Sequence, residues 1–375
     1  MSSENDAKYQ DPEFRAQLRL ALISGVGPRT NVILLEYFGS CEAILAASNS
    51  QLQQVTGVGP KLANKIVKSH EIDIDREIDL CRDFGIKILT RKDDLYPHLL
   101  QEIPDPPNII FVRGDLLPCD SMSVAIVGTR HATSYGLRQA ERFAFELSKA
   151  GFTIVSGLAR GIDGAAHRGA LKAEGRTIAF LAGGVCSIYP PEHDKLAEQV
   201  VKNGALISEA APLMKPMAGA FPQRNRLITG MSLGTVVVEA ATRSGALISA
   251  RTANEQGREV FAMPGRIDVA VSHGCHRLIK DGAKLIESVD DIIDELGPLA
   301  KPTQVNQTTV IRHPAEVKLN EQESCVLQAI SVESTDMDTI VEKSGLPIQR
   351  VLSTISVLEM RRLIQRISGT TVRRI

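Results

Sequence analysis

The chain has 375 residues, a hydrophobic fraction of 43% and a formal net charge of −1. That length accommodates roughly two or three domains, and the near-neutral balance excludes a global field drawing the chain to nucleic acid, so any polyanion site must arise from local clustering. The six cysteines are scattered without a CxxC pair, the start MSSENDAKYQ lacks an apolar leader core, and no apolar run approaches the ~18 residues of a membrane span, so a reduced, cytoplasmic protein with no membrane contact is expected. Tryptophan is absent and aromatics are 4%, which argues against a single-strand binder that stacks a ring on every base.

The first section, residues 1–104, holds two similar phrases, SGVGPRT at 24–30 and TGVGPKLANKI at 56–66. Each combines Gly-hydrophobic-Gly-Pro with helical pattern, the form of a helix-hairpin-helix. The glycines allow a tight turn with exposed amides, and the proline suits the first helical position. Such hairpins either grip phosphate, with Arg29 or Lys61 adding charge, or simply join packed helices; both readings stay open. The segment IDREIDLCRDFGIKIL reads as a helix entering a strand, and the Pro-rich IPDPPNIIF at 103–111 as a linker or edge strand.

The second section, 105–297, alternates short β-branched runs with amphipathic helices: SVAIVG, FTIVSG, TIAFLA, GALISEA, TVVVEA and EVFAMPG are the strands. Such runs predict a parallel sheet covered on both faces, with its sites at the carboxyl ends of strands. Residues 298–318 carry Pro, Gln, Asn and Thr without helical period and read as a flexible linker. Residues 319–375 show three helical patterns and a strand pair around Gly369-Thr370, the layout of a winged helix with a basic end (Arg361, Arg362, Arg366, Arg373, Arg374). The fold class is therefore α/β: a Rossmann-like parallel sheet core with an N-terminal helix-hairpin-helix (SAM-like) domain and a C-terminal winged helix.

Several loops present groups suited to phosphate. GTRHATSYG at 128–136 offers the turn at Gly128, the Thr129 hydroxyl and the five-donor fork of Arg130, but it is not GxGxxG, and no acid follows the second strand to read a ribose. SGLARGIDGAAH at 156–167 sets Arg160 between Gly157 and Gly161. Its Asp163 and His167 share a helix face, and a cap plus a histidine on the surface or between helices is the preferred reading over an acid–base pair. FPQRNR at 221–226 places Arg224 and Arg226 around Asn225; two apart on a helix, they diverge, which favours contact with successive phosphates. Phe221 either stacks a base or packs the core, with packing preferred, and Lys215 is a weaker candidate. Glu239 either is catalytic or bonds the amides of a neighbouring loop. Ser244 and Gly245 open the next helix. His273, Cys275 and His276 fall within one short turn, too few convergent ligands for zinc, and neither metal nor cofactor is expected.

Taken together, VAIVGTR at 124–130, SGLARGIDGAAHRGAL at 156–171, FPQRNRLITGMS at 221–232, SGALISARTANEQGREVFAMPG at 244–265 and HRLIKDGAKLI at 276–286 resemble the bacterial DNA-processing protein A family (DprA, also called Smf). The resemblance covers nearly the whole chain. It implies a non-enzymatic, sequence-independent single-stranded DNA binder that protects incoming DNA in natural transformation, forms a homodimer through the Rossmann-like domain and loads the RecA recombinase. Carried onto these residues, it makes Arg130, Arg224 and Arg226 the leading DNA contacts, with Gly128, Gly157, Gly161, Ser244 and Gly245 allowing backbone approach. Two alternatives remain. A phosphoribohydrolase acting on nucleoside monophosphates is one; TGMSLGTVVVEA keeps the GT and Glu of such enzymes but lacks their PGG. A duplex-DNA regulator working through the winged helix is the other, although PIQRVLSTISVLEMRR offers only Gln349 and Arg350 near its start for base edges.

Overall fold

The structure, a computed structural model, describes residues 8–296, 303–306, 309–311, 319–331, 333–360, 363–368 and 370–374. Helices lead the described residues: α1 (Pro12–Leu22), α2 (Pro28–Phe38), α3 (Cys41–Ala46), α4 (Asn49–Leu52), α5 (Pro60–Val67) and α6 (Ile74–Asp83). Asp11 caps α1 by accepting the Phe14 amide at 3.1 Å, whereas α2 and α5 each start with Pro behind a glycine N-cap, as the paired Gly-Pro phrases require. Leu20, Leu34, Ile44, Leu52, Ala63 and Ile66 close a small helical core.

The next elements in chain order are β1 (Ile86–Thr90), α7 (His98–Gln101), β2 (Ile109–Gly114), β3 (Ser123–Val127), α8 (Ser134–Lys149), β4 (Thr153–Ser156), α9 (Ile162–Lys172), β5 (Thr177–Phe180), α10 (Asp194–Asn203), β6 (Gly204–Ser208), α11 (Ala220–Gly230), β7 (Gly234–Val237), α12 (Gly245–Glu255), β8 (Glu259–Ala262), α13 (His273–Lys280), β9 (Lys284–Leu285) and α14 (Asp290–Leu296). One nine-stranded sheet runs β1-β2-β6-β5-β4-β3-β7-β8-β9. β3 to β9 pair in parallel, while β1 with β2, and β2 with β6, are antiparallel. The all-parallel expectation therefore holds for the interior and fails at one edge. The sheet also begins at Ile86, upstream of the domain boundary expected at residue 104, because the Pro-rich connection returns antiparallel and the preceding strand joins the same ladder.

Alternation sorts side chains to two faces. Ala125, Val127, Val155, Ile178 and Phe180 pack with Leu227 and Ile228 of α11, Ala246 and Ala250 of α12 and Cys275 of α13. Val124, Ile126, Ile154 and Val236 face Phe143 and Leu147 of α8, Ala165 and Ala166 of α9 and Ile292 of α14. The antiparallel edge is covered by α10 together with Phe14 and Leu18 of α1 and Ile74 and Ile78 of α6, so the N-terminal helices share a core with the sheet.

Thr303–Asn306 and Thr309–Ile311 pair as β10 and β11; the other residues of the expected linker lie outside the described ones. Beyond them, α15 (Glu321–Ala329), β12 (Thr335–Asp336), α16 (Met337–Ser344), α17 (Ile348–Met360), β13 (Ile364–Arg366) and β14 (Thr371–Arg374) form a winged helix with sheet order β12-β14-β13. Val326, Ile340, Val351, Ile355 and Val372 fill its core.

Candidate nucleic-acid interface

The connections diverge between β3 and β7: β4, β5 and β6 extend to one side, β8 and β9 to the other. In open α/β sheets such a switch point opens a crevice at the carboxyl ends of the strands. Glu239, just past β7, closes its floor. Its carbonyl accepts the Thr129 amide at 2.7 Å, and its carboxylate accepts the Thr133 amide at 2.9 Å and the Thr133 hydroxyl at 2.5 Å. Thr133 is the N-cap of α8, so the carboxylate sits where the helix dipole favours negative charge. Of the two roles the sequence left open for Glu239, the structure shows the bond to loop amides. It is 3% exposed, and both carboxylate oxygens are committed.

A second carboxylate, in the first turn of α9, faces back onto the β4 loop. Asp163 Oδ2 accepts the amides of Gly157 at 3.2 Å and Ala159 at 3.4 Å. Burial pushes its carboxyl above the ordinary value, while Arg224 and the two amides pull the other way. His167, fully buried, accepts the Leu158 amide on Nε2 at 3.3 Å, and its Nδ1 lies 2.7 Å from the Thr177 hydroxyl. That hydroxyl donates onward to the Ile154 carbonyl at 2.8 Å, so it accepts from Nδ1–H, which makes the ring the neutral Nδ1–H tautomer. Desolvation takes His167 down to about 3. Together these side chains hold Leu158, a non-glycine residue at φ +56°, and Gly161 at φ +75°. The expectation that Gly157 and Gly161 present open amides or backbone to phosphate is therefore corrected: the Gly157 amide already serves Asp163, and a side chain on Gly161 would strike the Thr129 carbonyl at 2.3 Å. Asp163 lies in the first turn of α9 and accepts amides of the preceding loop rather than capping the helix, and the histidine is internal.

The two helical arginines diverge, as their spacing predicts. Arg226 is 8% exposed and turns away from the crevice; Nη1 donates to the Asp105 carbonyl at 2.7 Å, Nε lies 3.4 Å from Asp105 Oδ2, and Nη2 pairs with Glu209. It ties α11 to the β2 and β6 connections, and the expectation that it contacts phosphate is corrected on that ground. Arg224 is 5% exposed and reaches the end of β5, where Nη1 donates to the Phe180 carbonyl at 2.7 Å. Its guanidinium lies against Gly157, where an added Cβ would fall 1.7 Å from Nη1. Its Nε is buried with no hydrogen-bond partner, and desolvation lowers it to about 10 despite Asp163. Arg224 is thus an incompletely satisfied cation beneath the crevice rim.

Above it two rings lie between two guanidiniums. Arg130, exposed, stacks over Phe221 at 4.8 Å. Phe221 meets Tyr189 edge-on at 5.7 Å, and Arg160 lies over Tyr189 at 5.8 Å. Four elements converge here: the β3 and β4 loops, the segment before α10, and the start of α11. Phe221 is half-buried and lies under a cation rather than in any of the apolar cores.

The remaining candidates take several positions. Thr129 and Gly128 are half-buried in the β3 loop, the Thr129 hydroxyl accepting the His131 amide at 3.2 Å. Lys215 is exposed on the loop before α11, and Asn225 is half-buried between the two arginines. Ser244 caps α12 through the Ala246 amide at 3.3 Å, and Gly245 is exposed beside it. Among the described residues, no hydrogen bond or ring contact joins Ser244 or Gly245 to Arg130, Phe221 or Arg224.

The sheet and its crevice coincide with a match to the family profile DNA recombination-mediator protein A over residues 87–297. The chain belongs to the DprA/Smf family. A DprA winged helix domain matches residues 312–370 and a SAM-like helix-hairpin-helix tandem matches 18–69. Among DprA/Smf relatives, Protein Smf of Synechocystis is 34% identical, with 94% of this chain and 96% of that protein covered, and Protein Smf of Escherichia coli is 37% identical, with 85% and 86% covered. The DprA crystal structure from Streptococcus pneumoniae aligns with a TM-score of 0.65 at 33% identity, covering 75% of this chain and 97% of that one. DprA from Helicobacter pylori, whose structure is described in terms of its single-stranded DNA binding mode, aligns with a TM-score of 0.52 at 31% identity, covering 57% and 96%. No described helix is long and apolar enough to cross a membrane.

Within this DprA/Smf chain, sequence reasoning missed Tyr189 and, of the two roles it left open for Phe221, preferred packing in the core. The signal for Phe221 was its position one turn before Arg224, at the start of a helix whose arginines carry charge. Tyr189 had none, since its partners Arg160 and Phe221 lie 29 and 32 residues away.

Proposed function

We propose that this chain binds single-stranded DNA without regard to base sequence, along the rim formed by Arg130 and Phe221 above the partly satisfied, buried Arg224. The observation that carries this reading is the stack of Arg130 on Phe221 above a buried guanidinium whose Nε lacks a partner. An aromatic face accepts any base, and the flanking guanidiniums suit the phosphates on either side. The binding mode named for the Helicobacter pylori protein supports it. The match to recombination-mediator protein A supports placing the activity in DNA recombination, and we extend it as the family resemblance implies: the protein protects incoming strands during natural transformation in the cytoplasm, works as a homodimer through the Rossmann-like domain and delivers the strand to RecA recombinase. The engagement of Glu239 supports a non-enzymatic reading over the hydrolase alternative.

Fluorescence anisotropy with labelled oligo-dT and a matched duplex tests the reading. The single strand should bind more tightly, and Phe221→Ala should weaken it by about five- to a hundredfold, the worth of one base stack. Equal affinity for duplex, or an unchanged Phe221→Ala isotherm, would overturn it.

A further inference from the structure

We infer that Tyr189 and Arg160 form a second nucleotide step beside Phe221, and that Glu192 holds the place of the phosphate that Arg160 receives. This rests on the single-strand reading above and adds to it a neighbouring subsite with its own internal competitor.

Arg160 meets Glu192 fork to fork, Nε to Oε1 at 2.5 Å and Nη2 to Oε2 at 3.0 Å. The same fork offers the same two donors to a phosphate. Both partners are about half exposed, at 47% and 53%, and an exposed pair is held by little free energy, so an incoming phosphate can exchange with it. The guanidinium is already stacked on a ring that is 41% exposed, so a strand crossing the rim finds a cation and an open face side by side.

The order along the rim is cation, ring, ring, cation. The two rings meet edge-on, their planes inclined by 64°, so bases stacked one on each cannot also lie parallel and stacked on each other. Successive bases must therefore part from each other to reach both rings, which an unpaired strand can do and a duplex cannot. The loop carrying Tyr189 and Glu192 does not depend on the ion pair for its position. His193 Nδ1 donates to the Leu158 carbonyl at 2.9 Å, pinning the same segment to the β4 loop. Glu192 is thus dispensable for the fold while occupying the donors of Arg160.

The test uses the full chain, a labelled dT oligonucleotide and an oligonucleotide of equal length made of abasic sites. Glu192→Gln should bind dT roughly two- to fivefold more tightly, the release of one exposed ion pair. Arg160→Ala should lower the slope of log affinity against log salt by about 0.7, one single-strand phosphate. Tyr189→Leu should weaken dT binding about fivefold or more while leaving the abasic strand unaffected, because only a base needs the ring. In Arg160→Ala, the gain from Glu192→Gln should vanish. If wild-type protein fails to bind dT, the reading of the whole rim fails. If wild-type protein binds but Glu192→Gln and Arg160→Ala both match it, the rim stands and the second step is overturned. A Tyr189→Leu loss of equal size on the abasic strand would also overturn it.

Discussion

Arg130, in the β3 loop, and Arg226, in α11, carry the same charge, and the structure gives them opposite work. Arg226 lies between Asp105 and Glu209, whose side chains are 29% and 26% exposed. Replacing it with alanine leaves two carboxylates facing each other without a cation. Breaking a buried pair costs about 3–5 kcal/mol, and partial solvation of both acids lowers this to about 2–3 kcal/mol. For a chain of 375 residues that corresponds to a fall in melting temperature of about 3–4 °C. Burial already holds the Glu209 carboxyl above its ordinary value, with Arg226 opposing the shift. Without Arg226 it should rise further. A carboxyl whose folded value is raised binds its proton more readily in the folded state, so the deficit should shrink as pH falls from 7.5 to 5. The salt dependence of DNA binding should stay that of wild type. Arg130→Ala should do the reverse: an unchanged melting temperature, and a binding slope lower by about 0.7, or about 2.6-fold less sensitivity over a fourfold rise in salt. Scanning calorimetry and anisotropy on the same three proteins decide the matter. An Arg226→Ala protein with native melting and a reduced slope would refute the division of roles.

Two further substitutions probe the floor of the crevice. His167 is neutral in the fold, with its value taken from 6.5 to about 3, so between those limits the unfolded chain binds a proton that the folded one refuses and stability falls with pH. Moving from pH 7.5 to 5 should cost about 2 kcal/mol through this group, seen as a lower urea midpoint, and His167→Asn should lack that component; an identical pH loss in both proteins would count against a neutral, buried ring. Gly157→Ala should destabilise by about 1–3 kcal/mol, since its new Cβ would lie 1.7 Å from Arg224 Nη1. Most of that cost should disappear in an Arg224→Ala background, leaving only the 2.7 Å approach to Asp163, and simple additivity in the double variant would deny the contact.

The sheet was legible because its strands are short β-branched runs buried on both faces, from Ser123–Val127 through Glu259–Ala262. The antiparallel edge was not, because nothing in Ile109–Gly114 distinguishes a strand that returns from one that crosses over. At the site, Arg130 and the crevice at the strand ends followed from the loop phrases. The fates of Arg224 and Arg226 did not, since their partners Phe180, Asp105 and Glu209 come from three separate connections. The loop glycines were read as allowing backbone approach; whether their amides are open depends on side chains further along, here Asp163 and Glu239.

That last point bears on what kind of ligand the crevice accepts. In a nucleotide-binding Rossmann fold, loop amides and the first helix N-terminus hold a phosphate deep at the switch point. Here the chain supplies both anions itself, with Asp163 on the β4 loop amides and Glu239 at the start of α8. A mononucleotide seeking that depth meets two carboxylates. The cationic groups instead stand one tier higher, where Arg130, Phe221, Tyr189 and Arg160 lie across the rim rather than down into it. A floor filled from within and a rim that sets two rings between two cations favour a polymer laid over the crevice, gripped at successive steps, over a small molecule enclosed by it. The scarcity of aromatic residues fits the same geometry: two rings at adjacent steps are enough when the strand is held mainly through its backbone.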